Sequence, residues 1–527
     1  MIHAGGHRLS GLFVALLTLT FAAVCAAFVW QPTLATFADD SVSYLVMAQG
    51  FSPWQVASPA VAAAFAREAF YPPLFPLLLA LAGAAHSTAW AHALIALLLA
   101  GAIPLVYALG VRWLEDRRAA AAVALCVVLL PSLWVNAKGI LSEPMFCLLL
   151  LATFCVLDMG ALVRRRLWAA ALLMAAMALT RTAALPMIAG FALWALSRRG
   201  EPFANRMRMA APAFAAFAAY GIWVLLRPSL TQDDYARILL ERGQGFLDGP
   251  GGLWPSLVAS LLRQANALAE GWASALMLFW VEGQTLRPVL AGVVGVFALA
   301  GLAIRVYRDG ADGWMMAAYL ATLLAWPYYD QMGRFLFPVL PVLILYAFLA
   351  AATVSRRLGR PQGVGIGVVA LVLLSLCLPG MAFIHQRAQA PGRHAEIVDW
   401  YRTPGLTEAR TRAQVHLDLF ADMNEIKERT ATGDRVMWVT PSYLALLAGR
   451  HGVAAPNGEL APAAYRQAVR ESGADYLFLS RYHPRDTIRT GAWEAGTRAL
   501  TENAKVVHLR TQDGGSVVTS MLLKADR

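Results

Sequence analysis

The sequence predicts a polytopic α-helical membrane protein with a soluble α/β domain at its C-terminal end. Three observations predict it. Apolar runs of about 20 residues, the length that crosses a bilayer, recur as far as Ile384. Short arginine clusters separate those runs. From about His385 onward, charged residues become frequent and apolar runs short. Composition agrees: of 527 residues, 58% are hydrophobic and only 15% charged, and mean hydropathy is +0.54. A soluble chain carries about 25% charged residues. The formal net charge of +11 would point to nucleic acid in a soluble protein. Here the excess lies in the arginine clusters that orient a membrane protein, so nucleic-acid binding is discounted. The five cysteines, Cys25, Cys126, Cys147, Cys155 and Cys377, all fall inside apolar runs, which predicts neither a disulfide framework nor a CxxC metal site.

The first span covers Leu9 to Trp30, and Arg8 ahead of it places the N-terminus in the cytoplasm. It has the flanks of a signal peptide but too long an apolar run, so it is read as an uncleaved anchor. A first outer loop, 31–71, follows. Its later part, VAAAFAREAF from Val61 to Phe70, is rich in helix formers and predicts a helix lying on the membrane. YPPLFPLLLALAGA (Tyr71 to Ala84) starts on paired prolines and is too short to span, so it is read as a re-entrant or surface helix.

Ten more spans are readable, which makes about eleven in all. They are Trp90–Val111, Ala119–Leu133, Leu141–Gly160, Leu167–Leu179, Ala183–Leu196, Met209–Leu226, Pro288–Ile304, Trp314–Tyr328, Phe335–Val354 and Gly363–Ile384. With this count every arginine cluster falls on the cytoplasmic side, from Arg112, Arg117 and Arg118 through to Arg356, Arg357 and Arg360. The apolar stretch Ala267–Val281 is the point at which one more span would invert every later loop. Residues 1–384 thus form the membrane domain, and 385–527 form an extracytoplasmic domain. Four strands are predicted in the latter, at Arg435–Thr440, Asp475–Ser480, Lys505–Arg510 and Ser516–Leu523. Helices are predicted at Leu417–Thr430 and Pro462–Ser472.

The candidate site lies where outer loops bring ionisable residues together. FADDSVSYLVMAQG (Phe37 to Gly50) follows the first span and places Asp39 and Asp40 at the membrane surface. Two adjacent carboxylates there are costly unless water, a cation or a substrate meets them; the plain alternative is a helix cap. Tyr44 stands one helical turn beyond Asp40 and can face the same way. Lys138, Glu143, Arg181, Arg287, Asp330 and Arg334 also fall at outer span ends. Arginines at that depth suit an anionic lipid head group, because guanidinium meets phosphate with a fork of donors. Snorkelling to the interface is the plain alternative.

These residues carry a resemblance. The motifs DDSVSYLVMAQG, YPPLFPLLLALAGA, ILSEPMF (Ile140 to Phe146), LTRTAALP (Leu179 to Pro186) and GRFLFPVLPVL (Gly333 to Leu343) carry it by their order and spacing. So does DRVMWVTPSYLALLAGRHGVAAP (Asp434 to Pro456) in the soluble part. Together they resemble the GT-C superfamily of membrane glycosyltransferases, in the branch of protein O-mannosyltransferases and lipid A aminoarabinose transferases. The resemblance implies a sugar donor linked to polyprenyl phosphate. The family's first-loop acid commonly stands four residues before a tyrosine, which selects Asp40 over Asp39. Ser41 stands where the family often has Glu, and Tyr71 where the aminoarabinose transferases have Lys, which argues against aminoarabinose as the sugar.

The implied reaction is an inverting displacement at the anomeric carbon. Asp40 is the expected general base on an acceptor hydroxyl or amine. Arg334, with Arg181 and Lys138, is expected to neutralise the departing phosphate. Tyr44 and Glu143 are the expected orienting residues. The acceptor is a lipid, glycan or protein outside the cytoplasm, and membrane lipids are the other partners. No organic cofactor is expected. Asp39 with Asp40 offers oxygen ligands to a divalent cation, but the resembling branch does not generally require metal, so the metal stays open. Two rival classes are a transporter or lipid flippase, which would show repeated halves and charges near the midplane, and a membrane-anchored binding protein working through its α/β domain.

Overall fold

The computed structural model describes residues 2–31, 34, 39–159, 163–227, 253–279, 285–326, 328–390, 398–403, 405–456, 460–481, 505–512, 515 and 517–525. The first apolar run folds as α1 (Ile2–Val29). After it, α2 (Asp39–Phe51), α3 (Pro59–Glu68) and α4 (Leu74–Leu81) form a short-helix layer. Pro59 opens α3 in the first turn with the Ser58 side chain capping it, and Pro72–Pro73 separates α3 from α4. The helix α3 does not lie bare on a membrane surface. It is held between α2 and the C-terminal segment: Arg67 donates to the carbonyl of Gly452 at 2.9 Å, Ser43 donates to Glu68 at 2.5 Å, and Ser442 donates to the other oxygen of Glu68.

The remaining predicted spans all fold as helices. They are α5 (Thr88–Leu114), α6 (Arg117–Val128), α8 (Glu143–Leu157), α9 (Arg164–Ala178), α10 (Ala184–Ser197) and α11 (Phe203–Leu226). Beyond them come α13 (Leu286–Tyr307), α14 (Ala311–Ala325), α15 (Met332–Arg357, tightened by a turn at Phe337–Val339) and α16 (Gln362–Gln389). Among the described helices, six are long and apolar enough to cross a membrane, or seven if a bent pair counts as one span. That pair is α6 and α7 (Pro131–Ala137), set at 50° to each other by the break before Pro131. The other predicted spans, such as α8, α9 and α10, have 14 or 15 residues, short of the bilayer length. The stretch Ala267–Val281 falls on α12 (Leu253–Met277), which is not among the helices apolar enough to cross.

The helix α15 is the axis of the bundle and is buried along nearly all its length. Small residues let neighbours approach it closely, as van der Waals packing between membrane helices requires. A Cβ added at Gly301 of α13 would run into the carbonyl oxygen of Tyr346, and one at Gly365 of α16 into that of Ala351.

The C-terminal part contains α17 (Val398–Arg402), α18 (Leu406–Arg429), β1 (Arg435–Trp438), β2 (His451–Ala454), α19 (Pro462–Glu471), β3 (Tyr476–Ser480), β4 (Lys505–Gln512) and β5 (Val517–Lys524). The sheet order is β2-β1-β3-β5-β4; β1 is parallel to both its neighbours, and β5 is antiparallel to both of its own. All four predicted strands are present, and β2 is added to them. Residues alternate as a sheet covered on both sides demands. Met437, Leu477 and Leu479 pack with Tyr465 and Val469 of α19, while Trp438 and Phe478 join the larger core. The Gly449–Arg450 turn has a structural role. Gly449 takes φ +64°, and Arg450 donates to the carbonyls of Lys427 (2.5 Å) and Thr430 (2.6 Å), satisfying the end of α18.

The close approach at Gly301 gives a direct test. Gly301→Ala should lower the thermal stability of the purified protein by about 1–3 kcal/mol through overpacking. Gly367→Ala in α16, where an added Cβ meets nothing within 4 Å, should leave the melting temperature unchanged or raise it slightly. Equal melting temperatures for wild type and Gly301→Ala would show that α13 and α15 are not this close.

Candidate active site

Asp40 sits in the first turn of α2, and its carboxylate is held by side chains from distant segments. The Tyr71 hydroxyl donates to Oδ1 at 2.6 Å, and Arg334 Nη2 donates to Oδ2 at 2.5 Å. Among the described residues it makes no hydrogen bond to N–H groups of its own helix, so the cap reading does not describe it. Burial alone would push the Asp40 carboxyl up. The Arg334 guanidinium, the Tyr71 hydroxyl and Arg181 together outweigh burial and hold it below the usual carboxylate range. Asp39 opens the same helix; its side chain lies outside the described residues, as does that of Asp330.

Glu143 is the first residue of α8, followed by Pro144, so a carboxylate meets the helix N-terminus. Its side chain is 1% exposed. Oε1 takes two guanidinium groups: Arg334 through Nε, and Arg181 through Nη1 at 2.9 Å. Oε2 is buried and has no hydrogen-bond partner among the described residues. Arg181, in the turn between α9 and α10, also donates to Ser142 Oγ at 2.9 Å. That same Oγ lies 2.9 Å from the Tyr44 hydroxyl. Among the described residues the Tyr44 hydroxyl bonds to Ser142 and not to Asp40, so it anchors Ser142, and through it Arg181, to α2. Two carboxylates and two guanidiniums from α2, α8, the α9–α10 turn and α15 thus form one neutral cluster.

Of the sequence-predicted residues, Asp40, Tyr44, Glu143, Arg181 and Arg334 come together. Lys138 takes another place. It is 1% exposed, with its ammonium 4.3 Å from the Phe28 ring centre and 5.2 Å from that of Tyr401. Its ammonium is thus placed against two rings, apart from the carboxylate–guanidinium cluster. Arg287 is tied to the Leu376 carbonyl at 2.8 Å. Both described carboxylates of the cluster hold guanidinium, and Asp39, the other residue of the expected cation pair, has its side chain outside the described residues. Among the described residues, no group of three or more His, Cys, Asp or Glu is placed to hold a metal ion.

Arg334 also lines a cavity of about 1,320 Å³, whereas Asp40, Glu143 and Arg181 do not. Its Nε and Nη2 are taken by the carboxylates, and Nη1 has no partner among the described residues. Much of the wall is apolar, from Val296 and Leu299 of α13 and Leu320 and Leu324 of α14. Near Arg334 it turns polar: Asn136, Glu270 and Arg402 face the same space, and Arg402 donates to Asn136 at 2.8 Å. The sequence reading missed Tyr71 as a partner of Asp40, and it missed Ser142, Glu270 and Arg402. Tyr71 had a signal, because the prolines after it fix it in a turn facing α2. Arg402 had none, because it lies in the polar C-terminal part among many exposed arginines.

No family model and no curated protein sequence matches the chain. Solved structures do. The oligosaccharyltransferase AglB from Archaeoglobus fulgidus, in complex with an inhibitory peptide and a dolichol-phosphate, matches over 97% of this chain and 74% of its own, with TM-score 0.51 and 14% identity. A structure of the Archaeoglobus fulgidus oligosaccharyltransferase with Zn and sulfate matches over 96% and 73%, with TM-score 0.50 and 12% identity. A weaker likeness, TM-score 0.45 at 14% identity over 96% of this chain and 97% of the other, extends to ArnT from Cupriavidus metallidurans bound to undecaprenyl phosphate. The chain therefore shares its fold with the Archaeoglobus fulgidus oligosaccharyltransferase.

The cluster predicts an asymmetry between its two acids. Glu143→Gln leaves two largely buried guanidiniums short of a counter-charge and should cost about 3–5 kcal/mol of stability, read as a lowered melting temperature. Asp40→Asn, which leaves Arg334 its bond to Glu143, should cost clearly less. Equal losses would contradict the assignment of Glu143 as the anchor.

Proposed function

We propose that this chain is a glycosyltransferase that moves a sugar from a polyprenyl-phosphate donor to an acceptor outside the cytoplasm. One observation carries the reading: Arg334, pinned by two carboxylates, lines a large and mostly apolar cavity with one nitrogen unengaged among the described residues. Such a cavity fits a ligand with an anionic head and an apolar tail, and guanidinium is the residue type for phosphate. The shared fold adds support, since the Archaeoglobus fulgidus oligosaccharyltransferase was solved with a dolichol-phosphate. No observation favours a transporter or flippase.

In the reaction, the acceptor oxygen or nitrogen attacks the anomeric carbon as the bond from that carbon to the phosphate oxygen breaks. The configuration inverts. Asp40 takes the acceptor's proton, and Arg334 meets the charge left on the lipid phosphate. At rest, Asp40 is a poor base because Arg334 and Tyr71 hold it ionised. When the donor phosphate draws on the Arg334 guanidinium, Asp40 loses part of its counter-charge and gains basicity. Glu143 keeps Arg334 tethered throughout, and Arg181, Ser142 and Tyr44 keep Glu143 in place. Asp39 stands second to Asp40, as the register of Tyr44 implies.

The arginine clusters support an outward-facing site. Helix α8 begins at Glu143 in the cluster and ends roughly 22 Å away, beside Asp158 and Arg305. Helix α15 likewise runs from Arg334 to Arg356 and Arg357. With arginine-rich ends inside, the cluster and residues 385–527 lie outside, with 1–384 as the transferase domain of an inner-membrane protein. Reporter fusions after Arg360 and Arg393 should then read cytoplasmic and outside, respectively; the reverse result would invert the orientation.

Transfer of labelled sugar from a polyprenyl-phosphate donor, with purified protein, tests the chemistry. Asp40→Asn should lower the rate by about a hundredfold to ten-thousandfold while folding persists. Arg334→Ala should weaken the donor by roughly tenfold to a hundredfold, and Arg334→Lys should recover only part of that loss. Near-normal transfer by Asp40→Asn at saturating donor would remove it from the mechanism.

A further inference from the structure

The cavity holds a second acidic side chain that the mechanism does not use. On α12, Asn266, Glu270 and Ser274 recur every four residues, so they form one stripe, and that stripe lines the cavity. Beside this stripe α12 packs on α15, where Ser274 Oγ faces Gly333. A Cβ added at Gly271 would lie 2.8 Å from the backbone nitrogen of Gly333. Helix α12 therefore touches α15 one residue from Arg334, and Glu270 is the residue next to that contact. The Glu270 carboxylate accepts from Asn266 Nδ2 at 2.7 Å. Among the described residues no arginine, lysine or histidine pairs with it.

An exposed carboxylate that lines the cavity on the same helix that touches α15 beside Arg334 is an acceptor open to polar donors there. The phosphate is not its ligand, since two anions repel and Arg334 already offers the phosphate a cation. The part of the donor joined directly to the phosphate is the sugar, whose ring carries hydroxyl donors. We infer that Glu270, with Asn266 beside it, is a specificity-determining residue that receives hydroxyls of the donor sugar. This rests on the donor-cavity reading of Arg334. The sugar class it implies is a non-anionic one that turns hydroxyl donors towards α12.

Binding to the purified full-length protein separates the two claims. The probes are undecaprenyl phosphate without sugar and its glucosyl, mannosyl, galactosyl and arabinosyl forms. Wild type should bind at least one sugar-bearing lipid roughly tenfold more tightly than the sugarless lipid, the scale of a hydrogen bond to a charged group. Glu270→Gln should abolish most of that advantage and leave the sugarless lipid bound as before. Its melting temperature should match wild type, because the side chain is exposed and the new amide oxygen still accepts from Asn266. A preference retained in Glu270→Gln, an equal loss for sugarless and sugar-bearing lipids, or no preference in wild type would each overturn the inference. Arg334→Ala should weaken all five lipids. If it weakens none, the donor-cavity reading itself fails, whatever Glu270 does.

Discussion

The site depends on one shared guanidinium. Arg334 is bonded at once to Asp40 of α2 and Glu143 of α8, and Glu143 is bonded to Arg181 as well. Charges at the edge of an apolar bundle are costly singly and tolerable when paired and hydrogen-bonded. The arrangement therefore constrains four segments far apart in sequence to meet at one point. It also makes Arg334 a switch point, because whatever draws on its charge alters Asp40.

The surrounding fold exists to hold that point. Proline breaks end α3 before Tyr71 and start α4 after it, so the Tyr71 hydroxyl reaches Asp40 instead of continuing a helix. Pro144 starts α8 at Glu143. Helix α15 brings Arg334 to the cluster and is then buried along its length. Close contacts at Gly301, Gly365 and Gly271 let α13, α16 and α12 press against it. The cavity lies among these same helices, so the packing that fixes Arg334 also shapes the space it faces.

Much of this was legible in the chain. Each predicted span is a helix, because an apolar run near 20 residues has few other stable states in a bilayer. The run lengths did not settle which helices cross, since α8, α9 and α10 are shorter than a bilayer and α6 is broken before Pro131. Strand β2 went unrecognised because His451–Ala454 is four residues long with no alternation to read. Asp40, Glu143, Arg181 and Arg334 were found by asking which charges fall at outer span ends. The same question also selected Lys138, which the fold places against two aromatic rings instead of in the cluster, a packing that a position at a span end does not reveal. It passed over Glu270, which lies on a helix the hydropathy pattern left ambiguous.

The central claim is that the donor phosphate takes up the Arg334 charge that holds Asp40 ionised at rest. Difference infrared titration of the Asp40 carboxyl, isolated by subtracting Asp40→Asn spectra from those of protein with labelled aspartate, measures this directly. The account predicts that undecaprenyl phosphate raises the pH at which Asp40 protonates. An unchanged or lowered protonation pH with the lipid bound would contradict it.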